Sequence, residues 1–264
     1  MLISPLNMLL AARRSMFAKP LPFDRPTGRL AATFAILASV TLTGCQAIVS
    51  TEPQSQVRII HATPDASGLD IYQGPNALAF NLGFGTVTSY IPLSPGTYTI
   101  NADTAGSKQA LSSAKTTFAA STQYTVLIGN TVGSLQQLTL TDQSQPAPSG
   151  QIALRFIDQA TRANAVDIYL VPAGQKLTAV TPVVTGAVFG TNTGYLNVAT
   201  GTYSLIMVPT GIAPVSSGAT YTGPQVTYSV GSARTIILID QPLVTTPGLQ
   251  VITAQDFDPL GVAN

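Results

Sequence analysis

The sequence predicts an all-β protein of two tandem antiparallel β-sandwich domains, Ig-like or transthyretin-like in architecture, preceded by an export segment. One observation is a repeated stretch, because "RIIHATPDASGLDIY" (58–72) returns as "RFIDQATRANAVDIY" (155–169). A second is a content of 22 Gly and 19 Pro, which favours short strands joined by tight turns. A third is that apolar residues alternate or cluster over a few positions and keep no helical period over a long stretch.

The chain opens with a predicted signal peptide, residues 1–44. Basic residues up to Arg29 precede the apolar run "LAATFAILASVTL" (30–42). This run is shorter than the roughly 20 residues of a membrane-spanning helix. It leads into "LTGC" (42–45), which resembles the bacterial lipoprotein signal, in which the Cys becomes the lipid-bearing first residue of the mature chain. An ordinary secretory peptide, or a membrane anchor with an incidental Cys, is the alternative.

Cys45 is therefore the predicted lipidation site, and the membrane is the first predicted partner. It is the only cysteine of the chain, so no disulfide framework is expected in the mature domains. The resemblance implies several acyl chains on this residue, which anchor stably where a single chain binds only marginally. It also implies attachment to the bacterial cell envelope, at the outer membrane in a Gram-negative organism because residue 46 is Gln and not Asp.

Two domains are predicted after a short polar tether, residues 45–53. Four further blocks recur in the same order in both halves: "FGTVTSY" as "FGTNTGY", "PGTYTI" as "TGTYSL", "YTVLIG" as "TIILID", and "LQQLTLTD" as "LQVITAQD". A stretch rich in Pro and Ser, "QSQPAPSG" (143–150), separates the halves as domain linkers do. We therefore place the first domain at 54–144, the linker at 145–149 and the second domain at 150–259.

The first domain also resembles a known family. "VRIIHATPDASGLDIYQG" (57–74), followed by "FGTVTSYIPLSPGTYTI" (84–100), is similar to the domain-of-unknown-function 4397 (DUF4397) family. Its members open with a Val-Arg-x-x-His-Ala-Ser-Pro-Asp run and continue with Phe-Gly and Leu-Pro-x-Gly-x-Tyr segments. The second domain keeps part of this pattern and lacks the His-x-x-Pro-Asp part. The resemblance implies sandwich domains of exported bacterial proteins, often in tandem, and no established activity.

Two charged pairs recur between the copies, Arg58 with Asp70 and Arg155 with Asp167. If the segments that carry them are neighbouring strands, each pair forms an ion pair across the strands. Such a pair fixes the register of the strands and contributes up to about 1 kcal/mol. A structural role is predicted for these four residues, and a ligand-binding Arg is the alternative.

No catalytic, metal-binding or cofactor-binding residue is predicted, and the chain is not expected to be an enzyme. His61, Asp65 and Asp70 could form a metal site, but His61 is the only His and Asp158 stands at its position in the second copy. A single His also leaves a Ser-His-Asp triad only one possible base, and no acidic pair stands out as a glycosidase pair. The segment around Asp65 is more typical of a turn.

The composition favours a non-enzymatic module at the cell surface or envelope, with a structural, adhesive or interaction role and an unknown partner. Charged residues make up only 9% of the chain, too few for the clustered basic surface of a nucleic-acid-binding protein. The alternative is a small-ligand or glycan-binding protein that uses loops of the second domain. The segments 181–194 and 209–224 are insertions of that copy, and loops at the ends of sandwiches commonly carry recognition.

Overall fold

The computed structural model describes residues 52–241 and 248–259, and the described chain is built from β-strands and three short 3₁₀ turns. The predicted signal peptide, Cys45 and most of the tether lie outside the described residues. Among the residues described, no helix has the length and apolar character that crossing a membrane requires. The strands are β1 Ser55–His61, β2 Leu69–Gln73, β3 Asn76–Leu82, β4 Ile91–Leu93, β5 Gly96–Thr104, β6 Ala110–Phe118, β7 Gln123–Gly129, β8 Gln136–Thr141, β9 Gln151–Asp158, β10 Val166–Pro172, β11 Val184–Ala187, β12 Asn192–Ala199, β13 Gly201–Pro209, β14 Tyr221–Tyr228, β15 Ala233–Asp240 and β16 Leu249–Phe257.

The first eight strands form two four-stranded sheets. The order β4-β1-β7-β8 defines the first inner sheet, and β3-β2-β5-β6 defines the first outer sheet. Their facing sides enclose a core in which Val57 and Ile59 of β1 meet Leu69 and Ile71 of β2, with Phe118 at the end of β6. We call this pair of sheets the first sandwich. The predicted all-β sandwich is confirmed.

The last eight strands repeat this topology. The second inner sheet has the order β12-β9-β15-β16, and the second outer sheet has the order β11-β10-β13-β14. These two sheets form the second sandwich, whose core contains Leu154 and Phe156 of the inner sheet and Ile168 and Met207 of the outer sheet. Each strand therefore has a counterpart in the first sandwich at the same place in the same kind of sheet.

The sheets are not wholly antiparallel. Each inner sheet contains one parallel pair of strands. β1 pairs in parallel with β7, and β9 pairs in parallel with β15. Between β1 and β7 the chain forms the four strands of the outer sheet and the edge strand β4 of the inner sheet. The two strands therefore need no tight hairpin between them, and a long connection permits parallel pairing.

The two inner sheets face each other across a third apolar cluster. Ile60 and Leu127 of the first sandwich lie in it with Ile157, Ile237 and Ile252 of the second, all at most 6% exposed. Because side chains alternate along a strand, β1 sends Val57 and Ile59 into its own core and Arg58 and Ile60 toward the other sandwich. The described residues accordingly belong to one compact unit.

The segment between the sandwiches is packed against the second one. Ala147 is buried with Ala153 and Ala233, and its N–H donates to the carbonyl of Gly231 at 2.9 Å. The backbone N–H of Gln143 donates to the phenol oxygen of Tyr195 at 3.1 Å. These contacts hold the connection in place as part of the folded unit.

Candidate functional site

Charged side chains are buried where the two inner sheets meet. Arg58 lies in the middle of β1 and Arg155 in the middle of β9, and both are at most 3% exposed. Each strand is central in its sheet, and each Arg sits on the face that points away from its own core. In a chain with so few charges, two arginines thus lie inside the contact between the sandwiches. A buried ion is costly unless it is paired and hydrogen-bonded, so their partners decide what the site does.

Arg58 is held from both sandwiches. Its Nε donates to Thr125 Oγ1 of the neighbouring strand at 2.8 Å. Its Nη1 donates to the carbonyl oxygen of Gln255 in the second sandwich at 2.7 Å. Its Nη2 forms an ion pair with Asp256 and lies 3.6 Å from Asp142 Oδ2. The guanidinium of the first sandwich is therefore clamped by the last strand of the second.

Arg155 of the second sandwich makes equivalent contacts with the first sandwich. Its Nε donates to Thr235 Oγ1 at 3.0 Å, and its Nη1 donates to the carbonyl oxygen of Thr141 at 3.0 Å. Its Nη2 pairs with Asp142 Oδ1 at 2.5 Å. The two arginines thus exchange carboxylates between the sandwiches, and an approximate two-fold axis relates the two halves of the cluster.

Each carboxylate of the ion pairs also accepts two hydrogen bonds from side chains of its own sandwich. Asp142 accepts from Tyr90 Oη at 2.8 Å and from Thr125 Oγ1 at 2.6 Å. Asp256 accepts from Tyr195 Oη at 2.9 Å and from Thr235 Oγ1 at 2.7 Å. The guanidinium carbons lie 4.9 Å and 4.7 Å from the ring centres of the two tyrosines, within cation–π range. We call these eight residues the ion clasp: Arg58, Tyr90, Thr125, Asp142, Arg155, Tyr195, Thr235 and Asp256.

Burial and neighbouring charges shift the pKa values of Tyr90, Tyr195, Arg58 and Asp256 in the ion clasp. Burial raises the pKa of the Tyr90 phenol, and the charge of Asp142 raises it further. Burial likewise raises the pKa of Tyr195, with Asp256 adding to the effect, so both phenols stay protonated and donate. Burial lowers the pKa of Arg58, but Asp142 and Asp256 more than offset this and the pKa is raised. Burial also raises the pKa of Asp256, an effect that the charge of Arg58 opposes and the charge of Asp142 strengthens.

The predicted ion pairs, Arg58 with Asp70 and Arg155 with Asp167, are wrong. β1 and β2 belong to different sheets, so Arg58 and Asp70 point out of opposite sides of the first sandwich. The same holds for Arg155 on β9 and Asp167 on β10. The arginines bind the aspartates of the ion clasp instead. A one-residue shift also corrects the repeat alignment, because Thr125 and Thr235 occupy equivalent positions beside the two arginines.

Asp70 and Asp167 bind backbone amides of the outer sheets. Asp70 accepts from the N–H groups of Asn81 at 2.8 Å and Gly106 at 2.9 Å. Asp167 accepts from the N–H of Gly186 and from Thr210 Oγ1, both at 2.8 Å. Each carboxylate thereby ties its strand to the edge strand beside it, β3 or β11, and to the turn that follows β5 or β13.

Replacing Asp70 by alanine should lower the free energy of unfolding by about 1–3 kcal/mol, because two backbone donors lose their acceptor. The two N–H groups also lower the pKa of Asp70, so this contribution exists at neutral pH and is lost in acid as the pH falls through that lowered pKa. Urea denaturation of the variant measures the change. Glu52→Ala, at an exposed residue, is the control. An Asp70→Ala variant as stable as the control would contradict the assignment.

The three residues considered for a metal site, His61, Asp65 and Asp70, each bind a different part of the backbone. His61 is buried, its Nδ1 lies 2.9 Å from the carbonyl oxygen of Leu82, and its ring meets Phe84 edge to face. Asp65 Oδ1 accepts from the N–H of Val132 at 2.9 Å. Within 52–241 and 248–259, no group of three or more metal-ligating side chains comes together.

Asp158 ends β9 as His61 ends β1, and it is 2% exposed. Burial and the nearby charge of Asp240 raise the pKa of Asp158 from 3.8 to about 6, although the N–H of Ala160 donates to it. A raised pKa in the folded state stabilises the protein in acid, and this contribution is lost as the pH rises from about 4 to 6.

Asp158→Asn should therefore make the protein more stable at pH 8 by about 1–3 kcal/mol and have little effect at pH 3.5. Asparagine keeps the acceptor for Ala160 and carries no charge. The measurement is the difference in unfolding free energy between variant and wild type at each pH, since His61, whose pKa is lowered by burial, changes the stability of both proteins alike. A difference that does not vary with pH would contradict the buried carboxylate.

A groove lies on the exposed face of the second outer sheet, with a volume of about 410 Å³. Its floor consists of two rows that run across the strands. Val171, Ser204 and Gln225 are aligned across β10, β13 and β14, and Ile206 stands opposite Thr222 in the next row. The walls are the segments 173–183 and 210–220, which carry the 3₁₀ turns Leu177–Ala179 and Ser216–Gly218.

The predicted insertions differ in their relation to this groove. The segment 209–224 supplies one wall and part of the floor, including Pro214, Val215 and Thr222. The segment 181–194 forms the short edge strand β11 and leads into β12. The other wall, around Gln175 and Leu177, was not identified from the sequence. The sequence signal that could have identified this wall is the greater length of the segment 173–183 compared with its counterpart in the first copy.

Comparison with known proteins gives a family match that covers the first sandwich and the start of the second. Residues 55–169 match the family model described as "Domain of unknown function (DUF4397)", a stretch that runs from β1 into β10. The search of curated proteins gives no match. One solved structure found is CBMbc (family CBM26) from Eubacterium rectale Amy13K in complex with maltoheptaose, at 11% identity and a TM-score of 0.22, covering 78% of this chain and 98% of that one. The family match places a DUF4397 domain at 55–169, and the strand topology alone defines the fold.

Proposed function

We propose, starting from the DUF4397 domain at residues 55–169, that this chain is a lipid-anchored protein of the bacterial cell envelope. Its two sandwiches act as one stiff, non-enzymatic module with a structural, adhesive or interaction role. The observation that carries the proposal is the ion clasp, which joins the sandwiches through the buried ion pairs Arg58–Asp256 and Arg155–Asp142. A rigid unit held off the membrane suits the presentation of a surface to a partner.

The second sandwich is, in this proposal, a diverged copy of the same domain. The strand order supports it, since every strand of one sandwich has its equivalent in the other. The ion clasp supports it further, because Arg, Tyr, Thr and Asp recur at corresponding places in both halves. Duplication of one domain that packs on its own copy explains the approximate two-fold axis.

Cys45→Ala should release the protein from the membrane fraction or leave its signal peptide uncleaved. Wild type should carry a lipid-modified Cys45 as its first residue, because the "LTGC" pattern resembles a lipoprotein signal and several acyl chains anchor a protein stably. Membrane fractionation and intact-mass analysis measure both properties. A soluble wild type with an unmodified Cys45 would contradict the anchor and leave a freely secreted protein.

The second candidate function is recognition of a small ligand by the second sandwich. The groove favours it, since it is built from loops that only this copy carries at that length. Loss of cell attachment on gene deletion, with every groove variant still supporting attachment, would favour the structural or adhesive role. Loss of attachment in the groove variants themselves would favour recognition.

A further inference from the structure

We propose that the groove on the second outer sheet is a binding site for a short saccharide. The inference rests on the second candidate function and adds the site and the ligand class to it. A volume of about 410 Å³ falls within the range of small-ligand sites in proteins. Its lining combines hydroxyl and amide side chains with an apolar floor, which matches the two kinds of surface on a sugar ring.

The polar groups of the floor are available to a ligand. In the described part of the chain, the hydroxyls of Ser204 and Thr222 and the amide of Gln225 form no hydrogen bond with the protein. The three lie on two adjacent strands, with Ser204 directly opposite Gln225. Together they offer both donors and acceptors on one side of the groove, as a ligand with several hydroxyl groups requires.

The apolar part of the floor is fixed by packing. Val171, Leu177 and Ile206 are 5–7% exposed and belong to a small cluster with Tyr169 and Val208 on the outer face of the sheet. Together with Val215 of the wall, which is 41% exposed, they give the groove an aliphatic surface against which the C–H face of a sugar ring can pack. Lys176 is the single charged residue of the lining, so no carboxylate repels an acidic sugar.

The position of the groove disfavours a peptide or an acyl chain. An extended peptide binds by adding to the edge of a sheet, where free backbone groups continue the ladder. This groove lies on the face of the sheet, whose backbone groups are occupied by β10, β13 and β14 themselves. An acyl chain needs a continuous apolar lining, and the hydroxyl and amide groups of Ser204, Thr222 and Gln225 interrupt it.

The walls exist only in the second sandwich. Between the equivalent strands, the first sandwich has two residues (74–75) where the second has eleven (173–183). It has five (105–109) where the second has eleven (210–220). On the outer sheet of the first sandwich, Lys108 Nζ lies 3.6 Å from the ring centre of Tyr72. Two longer loops have turned one copy of a duplicated face into a concave one, as grafted sites do.

Isothermal titration of the full chain, in a detergent without a sugar headgroup, tests the assignment. The probes are neutral galactotetraose and tetragalacturonate, which share the polyhydroxylated chemistry and differ in charge. The groove variant is Thr222→Ala with Gln225→Ala, and Ser113→Ala is the matched control because Ser113, opposite Asn101, holds the position of Thr222 on the first outer sheet. Both sites are exposed, so folding is expected to survive the changes.

Saturable binding of at least one probe, weakened about tenfold or more in the groove variant and unchanged in the control, is the expected result. A preference for tetragalacturonate that disappears in Lys176→Gln would identify an acidic sugar, and equal binding of both probes a neutral one. Absence of binding by both probes, or binding that the groove variant does not change, would overturn the assignment. Either of those results leaves the envelope module itself unaffected, since its own tests use Cys45 and cell attachment.

Discussion

Asp142→Ala should lower the free energy of unfolding by about 3–5 kcal/mol, the cost of leaving one member of a buried ion pair without its partner. The carboxylate accepts from Tyr90, Thr125 and Arg155 and lies close to Arg58 as well. Its loss leaves the ion clasp with an excess positive charge that water cannot reach. Urea denaturation of the variant, with the linear dependence of stability on urea, measures the effect.

Two further variants separate the charge effect from simple loss of packing. Asp258→Ala removes an exposed carboxylate and should change stability by less than about 0.5 kcal/mol. Arg155→Met in the Asp142→Ala background removes the unpaired cation and should recover part of the loss, because replacing a whole buried pair with apolar groups is often neutral. A single variant as stable as the exposed control would show that the contact between the sandwiches does not depend on the ion clasp.

Ile237→Ala should cost about 2–5 kcal/mol, the range for cutting a buried isoleucine to alanine. Ile237 is fully buried and points from the centre of β15 into the apolar cluster shared with Ile60 and Leu127 of the first sandwich. The cavity therefore opens between the sandwiches and outside either core. Amide hydrogen exchange should show faster opening in both inner sheets, although the substitution is in one.

The control for this prediction is Val230→Ala, at a side chain that is 52% exposed, which should leave exchange and stability nearly unchanged. Faster exchange confined to the second sandwich after Ile237→Ala would contradict a contact that stabilises both. Amide hydrogen exchange of Asp142→Ala allows the effect of losing the ion pair to be compared directly with the effect of the Ile237→Ala cavity.

The fold could be predicted because its signals are local or repeated. Short alternating runs, turn residues and the return of the Arg-to-Tyr block in the same order led to two sandwiches of strands. What failed was the assignment of strands to sheets. Nothing in "RIIHATPDASGLDIY" says that the chain crosses to the opposite sheet at the turn, and this crossing separates Arg58 from Asp70.

The ion clasp was harder to predict, although each of its members recurs. Asp142 and Asp256 close equivalent blocks, Tyr90 and Tyr195 close two others, and Thr125 and Thr235 differ from the alignment by one place. Retention of the same polar residues in a chain poor in charge was the signal. Their meeting depends on one inner sheet packing on the other, which no pattern within a single copy encodes.

The central claim is that the ion clasp makes the two sandwiches one cooperative unit, and scanning calorimetry of the wild-type chain beside Asp142→Ala tests it most directly. The wild type should unfold in one transition whose calorimetric and van't Hoff enthalpies agree, as for a single domain. The variant should unfold at a lower temperature, with the transition broadened or split into two. Two separate transitions in the wild type, unchanged in number and spacing by Asp142→Ala, would contradict the claim and describe two sandwiches that are merely adjacent.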